Sequence, residues 1–224
     1  MRNPLCLRAS AVVSSYREGA KPPSSAKKRT SGQMIVHFLK TGEKCYAVEI
    51  EREGLPTLEM NPAPGYDPLV PHDLMHLIVE AVLGLDRAIY GQLADGGDAG
   101  SFHIKDQSKV SAKDLSRLRK KQKKKGNRLR ASEDGHFAIS ENATYVCWHE
   151  WLSRSKVPSH RSRSVPMKMN AAAVWERFPA TEARLLKKSL DRTCDHLDEL
   201  SAAWSRLKSG ERISVRWPDL KLIG

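Results

Sequence analysis

No apolar run in this chain of 224 residues approaches the ~18 needed to span a bilayer. The longest candidate, around Leu74 to Leu85, is broken by His76 and Glu80, so no membrane span is expected. Paired cysteine motifs are missing as well. Cys6, Cys45, Cys147 and Cys194 are scattered, with no CxxC among them, which argues against a disulfide framework and for reduced thiols in a cytoplasmic protein. There is no Gly-rich phosphate loop, nucleophile elbow or Ser-His-Asp spacing, and Gly96-Gly97 by itself reads as a turn. No internal repeat is visible. Acidic residues are scarce at the start: residues 1–33 hold Glu18 alone against many Ser, Lys and Arg, and Arg8 interrupts LCLRASAVV, so a secretory signal is not expected. The plainer expectation is a disordered basic leader ahead of a fold that begins near Met34, with an organelle transit peptide as the alternative.

Positive charge is abundant but local. Of the net +12, residues 105–130 carry +10 and residues 1–33 carry +6, which leaves the rest at −4. A mildly acidic body therefore bears a basic insertion, SAKDLSRLRKKQKKKGNRLR, with Ser111 as its expected N-cap and Gly126-Asn127 as its expected break. Leu115, Leu118 and Leu129 are its large apolar residues, too few for a broad buried face. Two readings stay open: a solvated basic loop or helix, or a weak, non-specific contact to nucleic acid or an anionic surface through Lys113, Arg117, Lys120, Lys121, Lys124 and Arg128. The interleaved aromatics that would strengthen the second are absent.

Periodicity gives the architecture. MIVHFLK and CYAVEIERE alternate about the turn Thr41 to Lys44, a short strand LPTLEM can follow Gly54, and the proline-rich NPAPGYDP makes a connector. Pro71 opens an apolar-rich helix that Gly84 ends. Further helices are expected over residues 86–94, from a cap at Ser140 through SENATYVCWHEWLSRS, and over about 181–208; ERISVRW then reads as a closing strand, with Pro218 marking a sheet edge. Residues 155–170 read as a linker. The fold class expected is α+β, a small antiparallel sheet packed on three or four helices within one domain, residues 34–224.

The chemistry is concentrated in PHDLMHLIVE, residues 71–80. With His72 at zero, Asp73 falls at about 100°, His76 at about 40° and Glu80 at about 80° around a helix. Apolar residues fill the remaining circumference, so the helix should be buried with one polar stripe facing water or a cleft. Histidines at i and i+4 can offer two imidazoles to one divalent ion, zinc above all. In that reading His72 and His76 are ligands, Glu80 is a ligand or second-ion site, and Asp73 and Glu80 are the candidates for handling protons, as in a metal-dependent hydrolase or lyase. The alternative is that the stripe is the exposed side of a structural helix. Glu150 is a candidate further ligand, whereas His149, His196 and His103 suit surface, interface and loop roles. Cys147 and His149 point apart on a helix and make no dyad. A third possibility is an interaction module that docks a partner through its last helix.

PHDLMHLIVE followed by GLDRAIYGQLADGG resembles a stretch of small uncharacterised bacterial proteins of the form PHDLxHxxVE, over about residues 70–97. That resemblance implies a bacterial cytosolic protein and carries no activity with it. HDLMH is also similar to the HDxxH zinc motif of the coenzyme-Q biosynthesis zinc-protein family, which would put His72, Asp73 and His76 at metal-site positions. Where that family expects a further glutamate this chain has Ala88.

Overall fold

The computed structural model describes residues 33–130 and 135–223. The leader expected over 1–33 therefore lies, apart from Gln33, outside the described residues. Alternation in the first strands is realised in β1 (Met34–Lys40), β2 (Tyr46–Arg52) and β3 (Leu55–Ala63), an antiparallel meander. β4 (His103–Ile104) extends the β3 side, and β5 (Arg212–Trp217) with β6 (Leu222–Ile223) extends the β1 side, giving the order β4-β3-β2-β1-β5-β6. The closing strand is thus paired on both sides, and β6, after the turn at Pro218, forms the edge.

Register decides which face is apolar. Val36 sits opposite Ile50 and Val215, and Phe38 opposite Val48 and Ile213, so one pleat side is buried hydrocarbon across three strands. Two helices cover it: α1 (His72–Leu83) and α7 (Ala180–Ser205). Leu74, Leu77 and Ile78 of α1 share one core with that face and with Leu197, Leu200 and Trp204 of α7. At roughly 1.5–3 kcal/mol per buried large side chain, this layer is the main source of the fold's stability. α4 (His136–Arg154) lies against α1 and α7, where Ala143, Val146 and Cys147 form a second core with Val79, Leu186 and Leu190.

Several local features differ from the sequence reading. α4 begins at His136 behind Gly135, whose φ is +66°, so Ser140 is an interior residue of the helix and not its cap. The segment read as a linker is mostly helical: α5 (Pro158–Ser164), a 3-10 turn, then α6 (Lys168–Trp175). Prolines at the first positions of a helix cost no backbone hydrogen bond, which is why Pro158 and Pro166 start these turns instead of breaking them. α2 (Ile89–Ala94) starts later than expected. The basic insertion is the helix α3 (Ala112–Arg130), continuous through Gly126-Asn127, and Ser111 Oγ accepts from the Asp114 amide at 3.2 Å as a capping residue should.

No helix among the described residues is long and apolar enough to cross a membrane.

Candidate metal centre

α1 is buried nearly all round, so each ionisable group on it must find a partner or lie against a cleft. The partners are specific. Glu80 turns towards α2, whose N-cap residue, Ala88, has no capping side chain. Its Oε2 accepts from the Tyr90 amide at 2.7 Å, and its Oε1 from the Ile89 amide at 3.1 Å and from Ser140 Oγ at 2.8 Å. A carboxylate from one helix thus serves as the N-cap of another. Burial pushes Glu80 up to about 8, against these three donors, which pull the other way.

Asp73 is held by Tyr46, whose hydroxyl lies against both Asp73 Oδ2 and the Pro64 carbonyl. One phenolic proton cannot serve two acceptors. The phenolic O–H donates to one acceptor at a time, Asp73 Oδ2 or the Pro64 carbonyl, and burial pushes the Asp73 pKa upward from the usual carboxylate range while the Tyr46 hydrogen bond pulls the other way. The backbone carbonyl of Asp73 accepts from Tyr90 Oη at 2.9 Å.

His76 is the centre of the arrangement, 1% exposed. Its Nδ1 lies 2.8 Å from Ser140 Oγ and 3.3 Å from Thr144 Oγ1. With Ser140 donating to Glu80 Oε1, Ser140 Oγ is left to accept, so Nδ1 carries the imidazole proton and Nε2 presents a lone pair. Burial and the neighbouring His72 lower the His76 pKa to about 3, so the ring is neutral. Its Nε2 is buried without a hydrogen-bond partner among the described residues. The atom facing it is Oε2 of Glu141, at 3.7 Å. A lone pair aimed at a carboxylate is repulsive unless a cation sits between them.

His72 completes the group. Its ring meets that of His76 edge to face, with centroids 4.6 Å apart. The ligand atoms of His72, His76 and Glu141 all lie within 4.8 Å of one another. A tetrahedral ion with bonds of ~2.0–2.1 Å needs its ligands about 3.4 Å apart, a closure that the half-exposed carboxylate of Glu141 can supply by rotation. Gly65 fixes the other side: its carbonyl accepts from the His72 amide at 3.1 Å, and a Cβ there would lie 2.7 Å from His72 Cβ. No larger residue fits against His72.

Of the four residues read as one stripe, His72 and His76 therefore meet, while Asp73 and Glu80 are directed elsewhere by Tyr46 and by α2. The helical angle groups their Cα atoms correctly, but side chains of different length end in different places. Glu80 is not in the ligand group; Glu141, which the sequence reading passed over, is. A signal existed for the residues beside it. On a helix that includes residue 140, Ser140 and Thr144 are hydroxyls at i and i+4 beside Ala143 and Cys147, and buried hydroxyls need partners. Glu150 is engaged by Arg154 at 2.9 Å, and His103 faces Glu59 at 3.5 Å. Neither these nor the half-buried His149 and His196 join the group.

The basic helix has a different geometry. Leu115, Leu118, Gln122 and Gly126 are its inward side, the two leucines packing on the main core. Lys113, Arg117, Lys120, Lys121 and Lys124 are exposed, and all but Lys121 fall within an arc of about 60° opposite that inward stripe. The Arg128 side chain lies outside the described residues.

No protein-family model, curated protein or solved structure matches this chain.

Proposed function

We propose that the protein binds one divalent metal ion through His72, His76 and Glu141, and that this centre performs metal-assisted hydrolysis or a lyase reaction. The observation that carries the reading is the buried, unpartnered Nε2 of His76 facing the Glu141 carboxylate at 3.7 Å. A cation removes the repulsion and satisfies the orphaned lone pair in one step, and zinc fits a set of two imidazoles and one carboxylate. Three protein ligands leave a coordination position free, and His72 and Glu141 both border an open cleft of about 740 Å³. That is the arrangement a catalytic ion requires and a structural ion lacks. Ser140 and Glu80 orient His76 from behind.

Elemental analysis of the full chain, purified without a polyhistidine tag and dialysed exhaustively, tests this directly. Near-stoichiometric metal in the wild type, lost in His72→Ala/His76→Ala and reduced in Glu141→Gln, is the expected result. Wild-type protein that stays metal-free even after incubation with zinc, iron(II) and manganese overturns the reading.

A second reading rests on α3, whose exposed Lys113, Arg117, Lys120 and Lys124 form a ridge opposite the side that anchors the helix. Such a ridge is suited to non-specific contact with phosphates. If it binds nucleic acid, changing these four residues to Gln lowers the slope of log K against log salt by up to ~3.6 for duplex DNA. Binding that is unaffected by the four changes sinks this second reading.

A further inference from the structure

The cleft beside His72 and Glu141 has a lining that divides by chemistry. Met75 and Trp148 from the core helices, with Met167 and Val174 from the segment around α6, give it an apolar wall. Asn142 and Asn170 add amides. Its charged side chains are Glu141 and Arg177. The arginine stands apart from two others in the same helical layer: Arg154 pairs with Glu150 and Asp191, and Arg163 with Asp67. Arg177, exposed at the cleft, has no carboxylate partner among the described residues. A divalent ion offset by one carboxylate, with a guanidinium added, leaves the occupied cleft cationic. A volume of about 740 Å³ suits a small molecule and not a polymer.

We propose that this cleft takes a small organic anion, a carboxylate or phosphate ester with an apolar body, whose head group Arg177 receives while Met75, Trp148, Met167 and Val174 enclose the body beside the metal. The inference rests on the metal reading above. A guanidinium receives either head group through two parallel N–H donors, and the apolar wall selects against small inorganic anions, which have nothing to bury there. Anchoring at Arg177 leaves the other end of the molecule free to approach the open coordination position.

The full chain is loaded with cobalt(II), whose visible spectrum reports occupancy, and titrated calorimetrically with 3-phenylpropionate, phenyl phosphate and the neutral 3-phenylpropionamide. One or both anions should bind at least ~10-fold more tightly than the amide, and Arg177→Gln should remove that advantage, as expected for a charge-assisted pair. The cobalt spectrum of ligand-free Arg177→Gln should match that of the wild type. Whichever anion binds more tightly identifies the head group. Failure of both anions to bind the cobalt-loaded protein, equal binding of anions and amide, or an undiminished preference in Arg177→Gln overturns this inference and leaves the metal site standing. Protein that retains no cobalt overturns both.

Discussion

Ser140→Ala removes a single oxygen and leaves no cavity of consequence, yet it cuts the link between Glu80 and His76. Two hydrogen bonds disappear, Ser140 Oγ to Glu80 Oε1 and His76 Nδ1 to Ser140 Oγ, both 2.8 Å in the wild type. Glu80 keeps the amides of Ile89 and Tyr90. His76 Nδ1 keeps only the longer contact to Thr144, at 3.3 Å. A buried polar group left short of a partner costs about 1–3 kcal/mol. Because both groups retain partial satisfaction, we expect the lower half of that range, about 1–2 kcal/mol, or a fall in Tm of roughly 2–8 °C for a domain of this size. The larger effect should fall on metal. With only the longer Thr144 contact left to hold the proton on Nδ1, the imidazole can adopt the other tautomer and turn, and loss of such a supporting bond typically costs about 10–100-fold in affinity. Urea denaturation and a competition titration with a chromophoric chelator measure the two effects separately. Thr144→Val, acting on the longer contact, should cost less in both. If Ser140→Ala binds zinc as tightly as the wild type, Ser140 does not set the tautomer, and the orientation of His76 must have another cause.

Gly65→Ala should destabilise by at least ~1 kcal/mol, because its φ of +72° disfavours any side chain, and should also weaken metal binding by displacing His72; normal zinc affinity in a folded Gly65→Ala would show that His72 is not a ligand. His37 on β1 touches Ser214 and Glu51, and burial, aided by Arg212, holds its pKa below the ordinary imidazole range. Below about pH 6.5 the unfolded chain therefore binds more protons there than the fold does. Stability is complete above that pH and drains away as the pH falls towards the folded value; urea unfolding at pH 7 and pH 5 should show a smaller loss in His37→Gln than in the wild type. Burial also raises the thiols of Cys147 and Cys194, the latter to about 11. Mass-spectrometric mapping after brief iodoacetamide treatment should find both unmodified in the native protein and Cys45, which is exposed, alkylated; rapid labelling of Cys147 would contradict the packing of α4 on α7.

The sheet and the main helices were legible because their signals are local. Alternation in MIVHFLK and CYAVEIERE fixes strands, and the pair Pro71 and Gly84 brackets α1 on both sides. Pairing of β5 with β1 was not legible, since register between strands about 180 residues apart in sequence leaves no local trace. Ser140 shows the same limit from the other direction. Its composition says cap, but its neighbours Ala143, Val146 and Cys147 need burial against Val79 and Leu190, and tertiary packing extended the helix backwards past it. The start of the helix decides the place of Glu141: begun at Ser140 it would lie in a fraying first turn, whereas begun at His136 it lies on the wall of the cleft.

The four ionisable residues of α1 also explain why a polar stripe on an otherwise apolar helix need not be a single site. Each group buried at 10% exposure or less had to be neutralised or bonded for the fold to persist. Asp73 is bonded by Tyr46, Glu80 by the start of α2, and one nitrogen of His76 by Ser140. These three are accounted for by folding alone and would be needed whether or not the protein bound anything. What folding does not account for is the second nitrogen of His76, sealed from water yet directed at an exposed carboxylate that could have turned to solvent at little cost. A neutral hydrogen-bond donor in place of Glu141 would satisfy that nitrogen with no ion at all. Glu141→Gln is therefore the substitution that separates stability from function: its amide can donate to Nε2, so the protein should melt at the same or a higher temperature while its metal affinity falls. A Glu141→Gln protein that loses stability without losing metal would mean that the carboxylate serves the fold, and the ion, if bound, is held by the histidines with some other partner.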